Sequence, residues 1–276
     1  MLNDQTPEAA HLKLKRLREV LKDLRHLAVA FSGGVDSTFL LYVAHQELGV
    51  KVLALTAMSA FYPDRESEEA VAFAKAHGIR HITCAVDELA IAGFADNPLN
   101  RCYLCKHNLF GVFDKILSEQ GMTHLAEGSN ADDTGDYRPG MTAVKEMNVL
   151  SPLREVGMTK GEIRLLSMEM GLPTWDKPSF ACLASRIPYG EKITREKLEA
   201  VGACEQLLID AGFRQARVRH HGKLARIEVN PEELPKMLLP ENRATIVSGV
   251  KKHGFAYVTV DLQGYRTGSM NETIQQ

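Results

Sequence analysis

No apolar run in the 276-residue chain approaches the ~18 residues needed to span a bilayer. Met1 to His26 is charged along its length and lacks the apolar core of a secretory signal. These two absences predict a cytoplasmic protein with no membrane partner. Cysteine is scarce: five residues, Cys84, Cys102, Cys105, Cys182 and Cys204, an odd number too unevenly spaced for a disulfide framework. Neither sign of charge predominates, with 33 Lys+Arg against 35 Asp+Glu, which argues against a surface built throughout to grip nucleic acid or anionic lipid. Low-complexity tracts and internal repeats are also missing. What is present is 45% hydrophobic and 25% charged sequence, enough for a sizeable core, over a length of about two domains.

The periodicity predicts strands alternating with helices. A helix capped by Thr6 with Pro7 at its first position carries Leu14, Leu17, Leu21 and Leu24 on one stripe. Strands follow at 27–31, 50–56, 81–86 and 124–126, with helices at 38–48, 64–77 and 101–119 between them, and a capped helix at 159–170. Helix-length crossovers imply an α/β fold, a doubly wound parallel sheet covered on both faces. After an irregular 171–190 stretch the grammar changes. A helix at 194–211, strands at 216–219 and 224–229 joined by a His220–Lys223 turn, further helix and a last strand at 256–262 predict a smaller α+β domain. The predicted domains are 1–190 and 191–276.

Directly after the first strand stands Ser32-Gly33-Gly34-Val35-Asp36-Ser37, opening a helix. Glycines let successive N–H groups curl inward, the helix N-terminus adds partial positive charge, and Ser32, Ser37 and Thr38 add hydroxyls. Together they suit an anion of pyrophosphate size. The loop has neither the Gly-Lys-Ser/Thr ending of a Walker A motif nor the Gly-x-Gly-x-x-Gly of a dinucleotide fold. It resembles the PP-loop of N-type ATP pyrophosphatases, which include GMP synthetase and tRNA thiolases. That resemblance implies ATP cleavage between the α- and β-phosphates and adenylation of a substrate oxygen. Residues after the second strand, Ala57 and Met58 among them, would then lie beside the adenine, and Asp36 would help hold Mg²⁺.

Cys102 and Cys105 are spaced i and i+3 at a predicted helix start, beside Arg101 and Lys106, where thiolates are favoured. With Cys182 they form three soft ligands, suited to zinc or to an iron–sulfur cluster with one open iron. A redox pair and plain reduced structural cysteines are the other readings. Cys84 and Cys204 sit on apolar faces and read as buried small hydrophobes. From Arg214 to Arg226 there are five basic residues and no acidic one. Alternation puts Arg217 and Arg219 on one strand face, where paired guanidiniums suit a phosphate monoester; a solvated face and a tRNA patch are the alternatives. Arg138 and Arg186 lie in Pro- and Gly-rich loops expected to face the ATP cleft and to offset charge on the α-phosphate. Tyr137 would pack on a cationic ring. No His-Glu-x-x-His or comparable zinc spacing occurs.

The motifs Glu127-Gly128-Ser129-Asn130-Ala131-Asp132-Asp133, Asp136-Tyr137-Arg138-Pro139-Gly140, Ser185-Arg186-Ile187-Pro188-Tyr189-Gly190 and Asp261-Leu262-Gln263-Gly264-Tyr265-Arg266 follow in that order. Over roughly residues 10–272 the chain resembles the LarE family, ATP-dependent sulfur transferases of nickel-pincer nucleotide cofactor synthesis. The resemblance implies adenylation of pyridinium-3,5-biscarboxylic acid mononucleotide and insertion of sulfur to give a thiocarboxylate. ATP would contact Ala30, Phe31, Ser32, Gly33, Gly34, Asp36, Ser37, Thr38, Ala57, Met58, Gly128 and Arg138. The substrate would contact Tyr137, Arg217 and Arg219, with Arg186 and the three cysteines at the reacting centre. Glu205 and Glu228 match acidic residues of a family metal site, and the family implies a homo-oligomer. The best-known members spend a single sacrificial cysteine, one residue farther from the Ser-Arg pair, and have no Cys-x-x-Cys. Cys102, Cys105 and Cys182 instead match the branch similar to cluster-dependent tRNA thiolases, which implies a 4Fe-4S cluster fed by a sulfide donor. The rival readings are a tRNA thiolase, self-sacrifice of Cys182, an ammonia-using synthetase and a nucleotide or iron sensor.

Overall fold

The computed structural model describes residues 6–134, 139–266 and 268–271. The chain divides into two units, Met1–Asp87 with Asn100–Phe180, and Glu88–Leu99 with Ala181–Gln276. The change of unit at Phe180–Ala181 falls before the expected 190, and the segment Glu88–Leu99, inserted in the first unit's sequence, joins the second. Asn97 is the reason. Its side-chain amide donates to the carbonyls of Ile187 (3.1 Å) and Pro188 (2.7 Å), while the N–H groups of Gly190 and Ile193 donate to the Asn97 and Ala95 carbonyls.

In the first unit, α1 (Pro7–Asp23) is capped by the Thr6 hydroxyl, which accepts from the Ala9 N–H, and buries Leu14, Leu17 and Leu21. Strands β1 (Leu27–Ala30), β2 (Val52–Met58), β3 (Arg80–Ala85) and β4 (Leu125–Ala126) form a parallel sheet in the order β3-β2-β1-β4. Alternate residues serve opposite faces. Leu27, Val29, Val52 and Ala54 pack with α1, α2 (Val35–Leu48), α3 (Asp64–Ala76) and α7 (Lys160–Glu169). Ala28, Leu53 and Leu55 pack with Phe110, Phe113 and Leu117 of α4 (Arg101–Glu119) and with Val144 of α5 (Gly140–Glu146). This is the doubly wound α/β sheet that the strand–helix alternation predicts. The winding reverses at β1, whose two neighbours β2 and β4 lie on opposite sides. Helix α2 starts at Val35, earlier than expected, and α5 and the single-turn α6 (Pro152–Glu155) carry too few residues for periodicity to announce them.

In the second unit, β5 (Ala216–His221) and β6 (Leu224–Val229) are antiparallel, and β7 (Tyr257–Val260) adds parallel to β6. The ladder continues to His221↔Leu224, so His220 and His221 belong to the strand and only Gly222-Lys223 make the turn. Helix α8 (Arg195–Asp210), capped by Thr194, packs on β5, and α9 (Leu234–Leu238) and α10 (Pro240–Lys252) follow β6. No helix among the described residues is long and apolar enough to cross a membrane.

Candidate active site

The glycine–serine loop occupies the carboxyl end of β1, at the point where the sheet winding reverses, which is where ligands gather in open α/β sheets. Gly33 has φ +71°, and a side chain there would meet the Glu66 carbonyl at 3.2 Å and the Ala70 methyl at 3.3 Å. The Ser32 and Ser37 hydroxyls lie 3.1 Å apart, and Ser37 Oγ donates to the Gly34 carbonyl. Gly34 caps α2 with no side chain filling that role, so the first-turn amides of the helix remain for a ligand. Thr38 is fully buried and its hydroxyl has no hydrogen-bond partner among the described residues. Gly128, two residues past β4, closes the other side. A Cβ there would stand 2.9 Å from the Ser37 nitrogen.

Beside the loop opens a cleft lined by Ala30, Phe31, Ser32, Thr56, Ala57 and Phe113 among others. Its mostly apolar wall suits a purine. Thr56 donates to the Phe31 carbonyl (2.7 Å), and His81 Nε2 stands 2.8 Å from the Thr56 hydroxyl, with burial holding the imidazole below its ordinary pKa. Met58, expected beside Ala57, is 38% exposed and not among the lining residues.

Asp36 is the loop's charged residue. Burial pushes its carboxyl above the usual range, opposed by Lys160, whose Nζ lies 2.5 Å from Oδ2. The other oxygen, Oδ1, is buried without a hydrogen-bond partner among the described residues. An orphaned carboxylate oxygen facing a phosphate loop fits a hard cation such as Mg²⁺. Lys177 bonds the Gly33 carbonyl (3.2 Å), Glu66 (2.7 Å) and Glu69 (2.5 Å), tying 171–180 to the loop and α3.

Every helix that follows a strand of a parallel sheet starts at the carboxyl edge, so α4 brings Cys102 and Cys105 to the same edge as the loop. Lys106 reinforces this: its amine lies 3.6 Å from Glu127, the residue before Gly128, and Glu127 also accepts from Ser129 (2.7 Å) and Ser151 (2.6 Å). Cys102 is exposed and Cys105 half-buried; Cys182, half-buried, belongs to the second unit. Burial pushes the Cys84 thiol up and that of Cys204 up to about 12, which leaves neither suited to bind metal as thiolate. Among the described residues no group of three or more His, Cys, Asp or Glu side chains is placed to hold a metal ion. Tyr137 and Arg138 lie outside the described residues.

The second unit departs from expectation in its arginines. Arg186 is fully buried rather than presented as a free cation. Its Nε and Nη2 donate to Glu205 (2.6 and 2.9 Å), and its Nη1 donates to the carbonyls of Ala181 and Cys182 and to Ser185 Oγ. Arg219 forks onto Glu228 (3.1 and 2.6 Å) and also reaches Ser185 and Ser269. Glu205 and Glu228, 2% and 0% exposed, are thus counter-ions of buried guanidiniums, because an interior guanidinium is stable only when a carboxylate answers it. Arg217 lies over the Tyr265 ring at 5.2 Å; burial and then the neighbouring Arg186 push its pKa down to about 10. Glu205 answers both Arg186 and Arg217. Lys160 and the Glu127 carboxylate went unread in the sequence, since nothing local to either points to its partner.

A parallel sheet with an uncapped serine–glycine loop at its reversal point and a mostly apolar cleft alongside defines an ATP-using enzyme of the PP-loop pyrophosphatase class. A glutamine-hydrolysing GMP synthase polypeptide from Pyrococcus furiosus is 26% identical over 221 residues, 73% of this chain and 69% of that protein. An uncharacterised protein of Synechocystis sp. is 42% identical over 262 residues, 95% of this chain and 98% of that one. The pyridinium-3,5-bisthiocarboxylic acid mononucleotide synthase of Lactiplantibacillus plantarum is 34% identical over 263 residues, 95% of each chain. The chain belongs to this synthase family, the LarE family. No family model matches it.

Proposed function

We propose that the chain is a cytoplasmic ATP-dependent sulfurtransferase that converts a carboxylate of pyridinium-3,5-biscarboxylic acid mononucleotide into a thiocarboxylate. The observation that carries this is the phosphate loop with its mostly apolar cleft, in a chain related over 95% of its length to the thiocarboxylate synthase. A carboxylate oxygen of the substrate attacks the α-phosphorus, and pyrophosphate leaves into the amides of Gly34 to Ser37 and the Ser32 and Ser37 hydroxyls. Asp36 would hold Mg²⁺ on that leaving group through Oδ1. A sulfur nucleophile then adds to the acyl carbon and AMP departs, so no net oxidation or reduction occurs. Arg217 and Arg219, both on β5 two residues apart, would take the phosphate of the substrate, supported by the match of guanidinium forks to phosphate oxygens. Tyr137 would face the pyridinium ring and Arg138 the nucleotide. Arg186 would act on the site by positioning the Cys182–Ser185 backbone that it holds.

For the sulfur source we favour a 4Fe-4S cluster on Cys102, Cys105 and Cys182, supported by the donor set: three thiols, all at least partly accessible. Bound there, such a cluster supplies an iron without a protein ligand, able to carry sulfide from a small-molecule donor. The first unit would then bind nucleotide, and the second would bind substrate and join copies into a homo-oligomer.

The test is anaerobic incubation of the purified protein with ATP, sulfide and the biscarboxylate nucleotide, following AMP, pyrophosphate and a thiocarboxylate by mass spectrometry. Formation of all three supports the reading; ATP turnover with tRNA but not with the nucleotide overturns it. Cluster and self-sacrifice separate in the same assay. A cluster predicts about four irons per chain and many turnovers, whereas a sacrificial Cys182 predicts one sulfur per chain and a mass loss at that residue. Cys182→Ser should keep AMP formation and lose thiocarboxylate.

A further inference from the structure

The hydroxyls of Ser32 and Ser37 order the interior of the phosphate loop, but its first peptide is held from outside. Phe31, the residue between β1 and the loop, donates its N–H to the Leu55 carbonyl (2.8 Å) and offers its own carbonyl to the Thr56 hydroxyl (2.7 Å). A trans peptide points its C=O and N–H in opposite directions. Thr56 therefore fixes the plane of the Phe31–Ser32 peptide, and with it the direction of the Ser32 N–H. That N–H lies 3.3 Å from Ser37 Oγ, long for such a bond, so it is available to a stronger acceptor. Turned over, the same peptide would put a carbonyl oxygen where the amide stands, and a carbonyl oxygen repels a phosphate.

Thr56 is itself aimed. Its one hydroxyl hydrogen goes to Phe31, because a carbonyl can only accept. Toward His81 Nε2, 2.8 Å away, the hydroxyl oxygen must then be the acceptor, which puts an imidazole proton on Nε2. The His81 ring also meets the buried Phe31 ring edge-on, with centroids 6.0 Å apart. The relay crosses three neighbouring strands of the first unit, from β3 through β2 to the end of β1. Thr56 is buried, so water does not stand in for a hydroxyl removed there.

We propose that Thr56 is a positioning residue of the ATP site, aligned by His81, and that this relay holds the Ser32 amide toward the pyrophosphate moiety. The role rests on the reading of the loop as an ATP site. A valine has the shape of threonine without its hydroxyl. In its presence the Phe31 carbonyl and the His81 N–H lose their partner, and the first amide of the loop loses its aim.

The test is titration calorimetry of the full chain with inorganic pyrophosphate, ATP and AMP. Thr56→Val should weaken pyrophosphate and ATP about tenfold, the worth of one hydrogen bond to a charged group, and leave AMP within about threefold. Thr56→Ser should recover most of the loss. His81→Phe keeps an aromatic ring and removes the donor. It should weaken pyrophosphate about threefold in the wild-type background and no further in Thr56→Val, since His81 acts through Thr56. Equal weakening of AMP, no recovery in Thr56→Ser, or the same His81→Phe loss in both backgrounds overturns the proposal. If Thr56→Val does not fold, His81→Phe alone decides, and unchanged pyrophosphate affinity in that protein overturns the relay. A wild-type protein that bound neither ATP nor pyrophosphate would sink the nucleotide reading itself, a result distinct from binding that ignores Thr56.

Discussion

Replacing Gly128 by alanine tests whether the turn after β4 shapes the phosphate loop. The added Cβ would meet three backbone atoms: Ser37 N at 2.9 Å, Ser37 Cα at 3.2 Å and Asp36 C at 3.3 Å. Ordinary contact begins near 3.4 Å, so main chain must yield by about half an ångström, and neither the helix turn nor the strand end can rotate away as a side chain would. Overpacking of this kind costs about 1–3 kcal/mol, or a fall in Tm of about 3–10 °C. The displaced group is also an N–H of the anion cradle. Losing that bond to a phosphate is worth about 1.5–3 kcal/mol, an ATP affinity about ten- to hundredfold weaker. Gly34→Ala is the control. Its nearest neighbour would be Ser32 Oγ at 3.4 Å and its φ of −79° suits any residue, so only alanine's poorer capping counts against it and Tm should fall by about 2 °C or less. Scanning calorimetry and ATP titration read both effects. A Gly128→Ala protein as stable and as tight for ATP as wild type would refute the packing argument.

Glu205→Ala leaves Arg186 buried without its carboxylate and should destabilise by about 3–5 kcal/mol, whereas the paired exchange Arg186→Met with Glu205→Leu should cost less than either single change; strictly additive losses in urea unfolding would contradict the pairing. Burial holds His81, His220 and His221 below their ordinary pKa, so the unfolded chain takes up protons more readily than the folded one. Their contribution is therefore whole above about pH 6.5 and drains as pH falls toward the lower folded values. Tm should drop between about pH 7 and 5, less steeply in His81→Asn; an identical slope in that variant would dismiss His81 as a contributor. Thr159→Ala removes half of a capping box and should cost about 1 kcal/mol, or about 2–4 °C, with Thr159→Ser restoring most of it.

Where a signal is local, the sequence is a good guide. Helix α4 runs from Arg101 to Glu119 as its spacing and the following glycine predict, and α1 begins at the Thr6-Pro7 cap. The parallel sheet follows from helix-length connections, and the phosphate loop from glycine and serine at a strand–helix junction. The extension of β5 through His220 and His221 was not legible, because two histidines beside a glycine look like a turn until the ladder to Leu224 is seen. Nor was the joining of 88–99 to the second unit, which depends on one asparagine amide reaching Ile187 and Pro188.

Charge is where sequence and structure part. Arg186, Arg217 and Arg219 read as cations offered to ligands, and Glu205 and Glu228 as surface or metal-binding carboxylates. Folding buries all five and sets Arg186 against Glu205 and Arg219 against Glu228, since a desolvated charge is tolerable only beside its opposite. Periodicity, caps and loop chemistry are properties of neighbouring residues, and the chain alone determines them. Which ammonium reaches Asp36 and which carboxylate answers a buried guanidinium depend on distances between residues far apart along the chain, and only the tertiary structure decides them.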